Sequence, residues 1–250
     1  MAKKIYMYGP IGSSWWDETA TSAADFVKQL DEIGGEDIDI FVNSSGGDVF
    51  DGYAIYSAIA RYEGKVTVHV DGLAASAASY CILSADEVLM SPSALMMIHK
   101  AWVFANGNAD DLRNTAETLD KLDADIVGIY AKKTCKQRDE ILEMMEAETW
   151  LTADEAVDMG FADGLCEQFA AEACVDRRML SAFKNAPASI ARACGDGSDE
   201  RNDDGDTEQD PACNPGEIIE NDEPEDGDAP FEPAGLAYEL VNGKIYKVKE

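Results

Sequence analysis

Along the first 170 residues the hydrophobic pattern switches repeatedly between two periods. Short apolar or alternating runs fit strands, and apolar positions three or four apart fit helices. KKIYMY (3–8) and IDIFVNS (38–44) are strand runs, and KVTVHV (65–70) alternates strictly, with Val66, Val68 and Val70 on one face and Thr67, His69 and Asp71 on the other. Between them, residues 18–34 place Ala24, Val27, Leu30 and Ile33 at helical spacing and stop at Gly34-Gly35. Residues 49–64 place Val49, Tyr53, Tyr56, Ile59 and Ala60 on one helical stripe. Two short strands, EVLMS and ALMMIHKA, flank Ser91-Pro92-Ser93. A long polar helix is predicted over 108–134, striped by Leu112, Leu119, Leu122 and Ile126, with an acidic first turn that suits the helix dipole. Its length suggests that it projects. Helices over 138–148 and after Leu151 follow, the latter with Thr152 as N-cap. Strands alternating with helices indicate an α/β domain.

Charge changes the picture only at one end. The chain of 250 residues carries a net charge of −30, and 196–232 holds sixteen acidic residues against a single arginine, half of that excess. Such a segment buries too little apolar surface to order itself, and we read it as disordered. The acidic balance argues against nucleic acid or an anionic membrane as partner. GDGSDERNDDGD (195–206) invites a calcium reading, but its spacing fails the EF-hand pattern, so no metal is expected. The six cysteines are scattered without ligand spacing, no run reaches the length of a membrane span, and the start is too polar for a signal peptide; the chain reads as cytoplasmic and reduced. The sequence thus divides into a domain over 1–175, a short basic amphipathic helix or linker over 176–195, the acidic segment, and a terminal hairpin over 233–250 around Asn242-Gly243.

The candidate chemistry lies in VTVHVDGLAASAASYCILSA (66–85), where a strand is expected to end at Val70, turn through Asp71–Ala75 and open a helix near Ser76. A serine there sits where free N–H groups converge, and the N–H of Ala77 is a candidate oxyanion donor. The competing reading is tight packing with Ser76 as a mere cap. A second glycine turn, Gly46-Gly47, offers another donor and an extended edge for a peptide. Of the two histidines, His69 points away along its strand, whereas His99 stands where a strand enters a loop, making it the better base. Val49, Met96 and Met97 are either pocket-lining or core.

Taken in order, NSSGGDVFDGYAIYSAI, GLAASAAS, MMIHKAW and ETWLTADEAVDMGFADGL resemble the proteolytic subunit of the Clp protease, the ClpP family, and most of all its phage- and prophage-encoded members that act on head-assembly proteins. The resemblance covers about residues 3–168. It implies a crotonase-like stack of ββα units with a projecting handle, matched by the long helix. It implies a serine protease with Ser76 as nucleophile, His99 as general base and Glu148 as the third member. Gly47 and Ala77 become the oxyanion donors, and Gly46, Val49 and Met97 line the substrate. Ser79, a turn deeper, becomes a poor rival. The acid is the least determined position, since Glu143 and Glu146 stand near and the family most often has Asp. The resemblance further implies a peptide or protein substrate, a ring-shaped homo-oligomer, heptameric in the family, and no cofactor.

Two departures qualify this expectation. The first strand begins at the third residue, with no segment ahead of it to contact an AAA+ unfoldase, so an enzyme working without a dedicated ATPase is expected, with that partner left open. The acidic segment has no counterpart in the family core; it is a solubilising tail or an assembly tail that the enzyme trims. Two rivals remain at this stage: a crotonase-type acyl-CoA enzyme, and a non-catalytic head-assembly protein with a ClpP-like core.

Overall fold

The computed structural model describes residues 2–13, 19–166 and 183–186, together with the backbone of 238–241 and 244–247. The acidic segment 196–232 and all of 176–195 except 183–186 lie outside the described residues. The chain divides into two units, Met1–Ser198 and Asp199–Glu250. In the second, Tyr238–Val241 and Lys244–Lys247 pair antiparallel, Val241 opposite Lys244.

The first unit is a mixed α/β fold. Its elements run β1 (Lys3–Tyr8), α1 (Ala23–Ile33), β2 (Ile38–Ser44), α2 (Val49–Arg61), β3 (Val66–Ala75), α3 (Ala77–Cys81), β4 (Glu87–Met90), β5 (Leu95–Ile98), α4 (Ala109–Thr134), α5 (Arg138–Glu146), β6 (Thr149–Thr152), α6 (Ala153–Asp158) and β7 (Gly164–Leu165). Strands β1, β2, β3, β4 and β7 lie side by side in that order, all parallel. Their alternate residues Ile5, Met7, Ile40, Val42, Val68, Val70, Val88 and Met90 are buried in the main core. Parallel strands need crossovers, and α1 and α2 supply them between β1, β2 and β3.

The helices are specified locally at their ends. Ser22 caps α1 by accepting the Asp25 N–H at 3.1 Å, and Gly34 closes it in the left-handed conformation. Thr152 and Glu155 form a reciprocal capping box on α6, and Asn108 and Asp111 do the same on α4. Which face turns inward is a different matter. In α1 the buried residues are Ala23, Phe26 and Leu30, and Ala24 is exposed. In α2 they are Gly52, Ile55, Ala58 and Ile59, and Ala60 is exposed. Both stripes are rotated from the sequence expectation: the inward side takes Phe26 and Ile55, each fully buried, with Ala23 and Ala58 beside them, and leaves Ala24 and Ala60 outside. Helix α4 is anchored by Asp123, Ile126, Val127 and Tyr130, while Leu112 near its start is exposed. Its first half therefore makes little contact with the core, as the projecting reading requires. No helix among the described residues is long and apolar enough to cross a membrane.

One expectation is corrected. The small residues Asp71–Ala75 do not turn; they continue β3 to Ala75. The strand changes neighbours instead. Residues 67–70 pair with β4, and Leu73, Ala74 and Ala75 pair in parallel with Leu95, Met96 and Met97 of β5. On the other side a register shift falls between Val42 and Ser44, opposite this switch. β5 in turn carries the antiparallel β6, so Thr149–Thr152 is added to the sheet at the point where β3 forks.

Candidate active site

Extension of β3 delivers Ser76 to the end of a strand with no room for a gradual turn. Ser76 adopts φ 53°, ψ −124°, a conformation an L-residue rarely takes, and α3 starts at the next residue. A sharp strand-to-helix elbow of this kind lifts a side chain clear of the sheet at the cost of backbone strain. The turn is held from three sides. The Ser76 N–H donates to the Met97 carbonyl at 2.9 Å, tying it to β5. The Ser79 hydroxyl donates to the Ser76 carbonyl at 2.6 Å and pairs at 2.6 Å with the hydroxyl of buried Tyr130 from α4. Ser79 is therefore a buttress beneath Ser76. On the third side lies Gly46, with φ +83°, where a Cβ would stand 2.5 Å from the Ala75 oxygen, 2.7 Å from the Ala77 nitrogen and 2.8 Å from Ser76 Cβ. That contact leaves no room for a side chain at Gly46, whose backbone lies directly against residues 75–77, while Gly47 is pressed in the same way against the backbone of Ile11.

β5 ends at Ile98, and the following residue faces the elbow. His99 Nε2 stands 2.8 Å from Ser76 Oγ. Burial lowers the His99 pKa below its ordinary value, partly offset by the negative charges of Glu148 and Asp123, so the imidazole is neutral and able to accept at neutral pH. The loop after it is fixed by Asp123, only 4% exposed, which accepts the Ala101 N–H at 2.7 Å and faces Lys100 Nζ at 3.5 Å. His69, by contrast, lies 3.3 Å from Asp39 and stacks on Phe41, away from Ser76.

The remaining sequence-predicted residues divide. The N–H groups of Gly47 and Ala77 have no acceptor among the described residues and flank the Gly46–Ser76 contact. Met97 is fully buried and packs with Leu73, Ala75, Leu95 and Trp150 in a small apolar cluster separate from the main core. Met96 belongs to the main core and the partly buried Val49 packs against it, its carbonyl accepting the Tyr80 hydroxyl at 2.9 Å. Glu148, in a left-handed conformation (φ 50°) between α5 and β6, is near enough for its charge to act on His99. Its carboxylate is nevertheless bonded elsewhere: to the backbone N–H of Lys184 at 2.9 Å, that of Asn185 at 2.6 Å, and more weakly to Trp150 Nε1 at 3.4 Å. Ser76 and His99 are thus joined, and Glu148 is not hydrogen-bonded to His99.

Sequence reasoning missed Asp123, Tyr130 and the 183–186 segment. A buried acid four residues before Val127 on a helix that reads polar leaves no local signal, and the Ser79–Tyr130 contact spans 51 residues. The 183–186 stretch forms a turn, whereas its surroundings read as helix or linker.

The arrangement is that of an activated hydroxyl: a strained serine, a neutral imidazole in hydrogen-bond reach, and two unengaged backbone donors beside them. Comparison with known proteins agrees with where these features fall. The Clp protease family model matches residues 4–169. The chain is 33% identical over 176 residues to the ATP-dependent Clp protease proteolytic subunit 1 of Chlamydia abortus, covering 67% of this chain and 88% of that protein. It is 31% identical over 156 residues to the ATP-dependent Clp protease proteolytic subunit of Bacteroides thetaiotaomicron, covering 61% and 71%. All the elements that build the elbow and its histidine lie inside the matched span, and this chain belongs to the Clp protease family.

Proposed function

We propose that the chain is a serine endopeptidase in which Ser76 attacks a peptide carbonyl. The 2.8 Å contact between Ser76 Oγ and His99 Nε2, within a chain of this family, carries the reading. As Oγ attacks, its proton passes to Nε2, and the carbonyl oxygen becomes an oxyanion facing the N–H groups of Gly47 and Ala77. Collapse of the tetrahedral species expels the amine, which takes the proton from His99. Water, deprotonated by the same imidazole, then hydrolyses the ester and restores Ser76. Glu148 stabilises the imidazolium through its charge and, once free to bond Nδ1, through orientation.

Gly46 and the cluster around Met97 offer a backbone edge and an apolar surface to the substrate; Val49 contributes from the core behind them. The relatives are named as proteolytic subunits, which supports assembly, and a heptameric ring is the form we propose. Action on phage head proteins remains the finer expectation, drawn from the sequence motifs alone.

Hydrolysis of a fluorogenic peptide by the full chain and by Ser76→Ala tests the reading. We expect the variant to lose roughly 10⁴- to 10⁶-fold in rate. Thioester turnover without peptide cleavage would instead indicate acyl-CoA chemistry, and no turnover of either would indicate a structural protein.

A further inference from the structure

Residues 183–186 approach the site in a way that the proposed chemistry does not use. The Phe183 ring meets the His99 ring edge-on, centroids 5.6 Å apart, and meets Trp150 likewise at 5.7 Å. It is half-buried against the cluster of Leu73, Ala75 and Met97. That cluster adjoins the nucleophile directly, because Ala75 precedes Ser76 and the Met97 carbonyl holds the Ser76 N–H. Beyond Phe183 the chain turns, and two successive backbone N–H groups, of Lys184 and Asn185, point at the Glu148 carboxylate, one on each oxygen. The Asn185 side chain fastens the turn by donating to the Ala147 carbonyl at 3.0 Å.

We propose that Phe183–Ala186 is a built-in pseudosubstrate strap: it fills the apolar surface beside Ser76 and withholds Glu148 from His99, keeping the enzyme slow until the strap is displaced. The inference rests on the serine peptidase reading above. Both effects follow from the contacts. An aromatic ring seated on Leu73, Ala75 and Met97 excludes a substrate side chain from that surface. A carboxylate oxygen engaged by a charge-assisted bond to an amide must break it before it can turn to an imidazole. The same contacts make the strap displaceable. Lys184 and Asn185 are exposed, so water can replace their bonds, and only Phe183 is partly sheltered. A peptide that places an apolar side chain on the cluster competes for the same surface, so substrate binding and strap release are coupled. The occupant the site is built to take is accordingly a segment with an aromatic residue followed by free backbone amides.

The test compares the full chain with Phe183→Ala, which removes the packing, and Asn185→Pro, which removes both the amide donor to Glu148 and the side-chain donor to the Ala147 carbonyl while keeping the Phe183 ring. Each is treated with a fluorophosphonate probe, the rate of labelling at Ser76 is followed by peptide mass spectrometry, and amide exchange is measured over 183–186. We expect at least fivefold faster labelling in both variants, with loss of exchange protection over the turn. Labelling at the same rate as the unaltered chain overturns the strap and leaves the peptidase reading intact. Slower labelling also overturns it, because the turn would then support Glu148 rather than restrain it. Should Phe183→Ala fail to fold, Asn185→Pro decides alone. Absence of label at Ser76 in all three proteins overturns the peptidase reading, and the strap's role with it.

Discussion

His99 has opposing influences on its charge. Burial disfavours the imidazolium, and the carboxylates of Glu148 and Asp123 favour it; burial dominates, so the pKa lies below the ordinary 6.5. A base that stays neutral further into acid keeps the enzyme active there. We expect the acid limb of kcat/KM to have its midpoint below about 6.5. In Glu148→Gln the loss of a negative neighbour removes a contribution that raises the pKa, so the limb moves to still lower pH while the maximum rate falls. A pH–rate profile of both proteins checks the sign, and a limb moving upward in the variant would contradict it. Ser79 shows how one residue type serves two purposes within four positions. Its hydroxyl is engaged by the Ser76 carbonyl and Tyr130, so it is held as structure, whereas among the described residues Ser76 Oγ is bonded to the imidazole alone.

At the scale of elements, the site depends on two strand-to-helix turns pressed together. β2 leads through Gly46-Gly47 into α2, and β3 leads through Ser76 into α3, and no side chain fits between them. Gly46→Ala would set a methyl against backbone atoms at 2.5 and 2.7 Å in a left-handed conformation. We expect a stability loss of about 1–3 kcal/mol from strain. Separation of the turns would also displace the oxyanion donors from Ser76 by a fraction of an ångström or more, and we expect kcat to fall about 100-fold. Denaturant unfolding and peptide turnover measure the two effects separately. Equal loss of both with restored activity at low temperature would mean that stability alone was affected. α3 has only five residues, so its dipole contributes less than a full helix would, and the individual N–H groups carry the electrostatics.

For the whole molecule, an exposed apolar stretch lies between His99 and α4 among the described residues. Trp102, Val103 and Phe104 are exposed, Phe104 at 91%, with Leu112 exposed one helical turn into α4. Contiguous exposed aromatic and aliphatic residues at the foot of a projecting helix indicate a contact with another chain. We expect this surface to pack against a neighbouring copy in the proposed ring. Phe104→Asp would bury a charge there, and sedimentation velocity is expected to show smaller assemblies than the unaltered protein at the same concentration. An unchanged sedimentation coefficient would place the subunit contact on another face.

Much of this protein was legible in its sequence. The alternation of periods located the strands and helices, Thr152 and Gly34 marked helix ends, and the glycine- and alanine-rich stretches at 46–47 and 72–77 marked two segments that meet around Ser76. Those features are local: a cap, a stop or a periodic stripe acts within a few residues of itself, so the linear order contains them. His99 could be selected over His69 because strand alternation already assigns the latter to a face. The tertiary structure decided what depends on segments meeting. The continuation of β3 through Asp71–Ala75 required β5 as a new neighbour, which no pattern within 66–85 could announce. The inward faces of α1 and α2 were set by which bulky residues the sheet could bury. The partner of Glu148 was settled by a turn 36 residues further along the chain, where two backbone amides reach its carboxylate before the imidazole does. Hydrogen bonds to backbone carry no side-chain signature, and for that reason the motif could single out Glu148 as a candidate acid while only the folded chain determined what it holds.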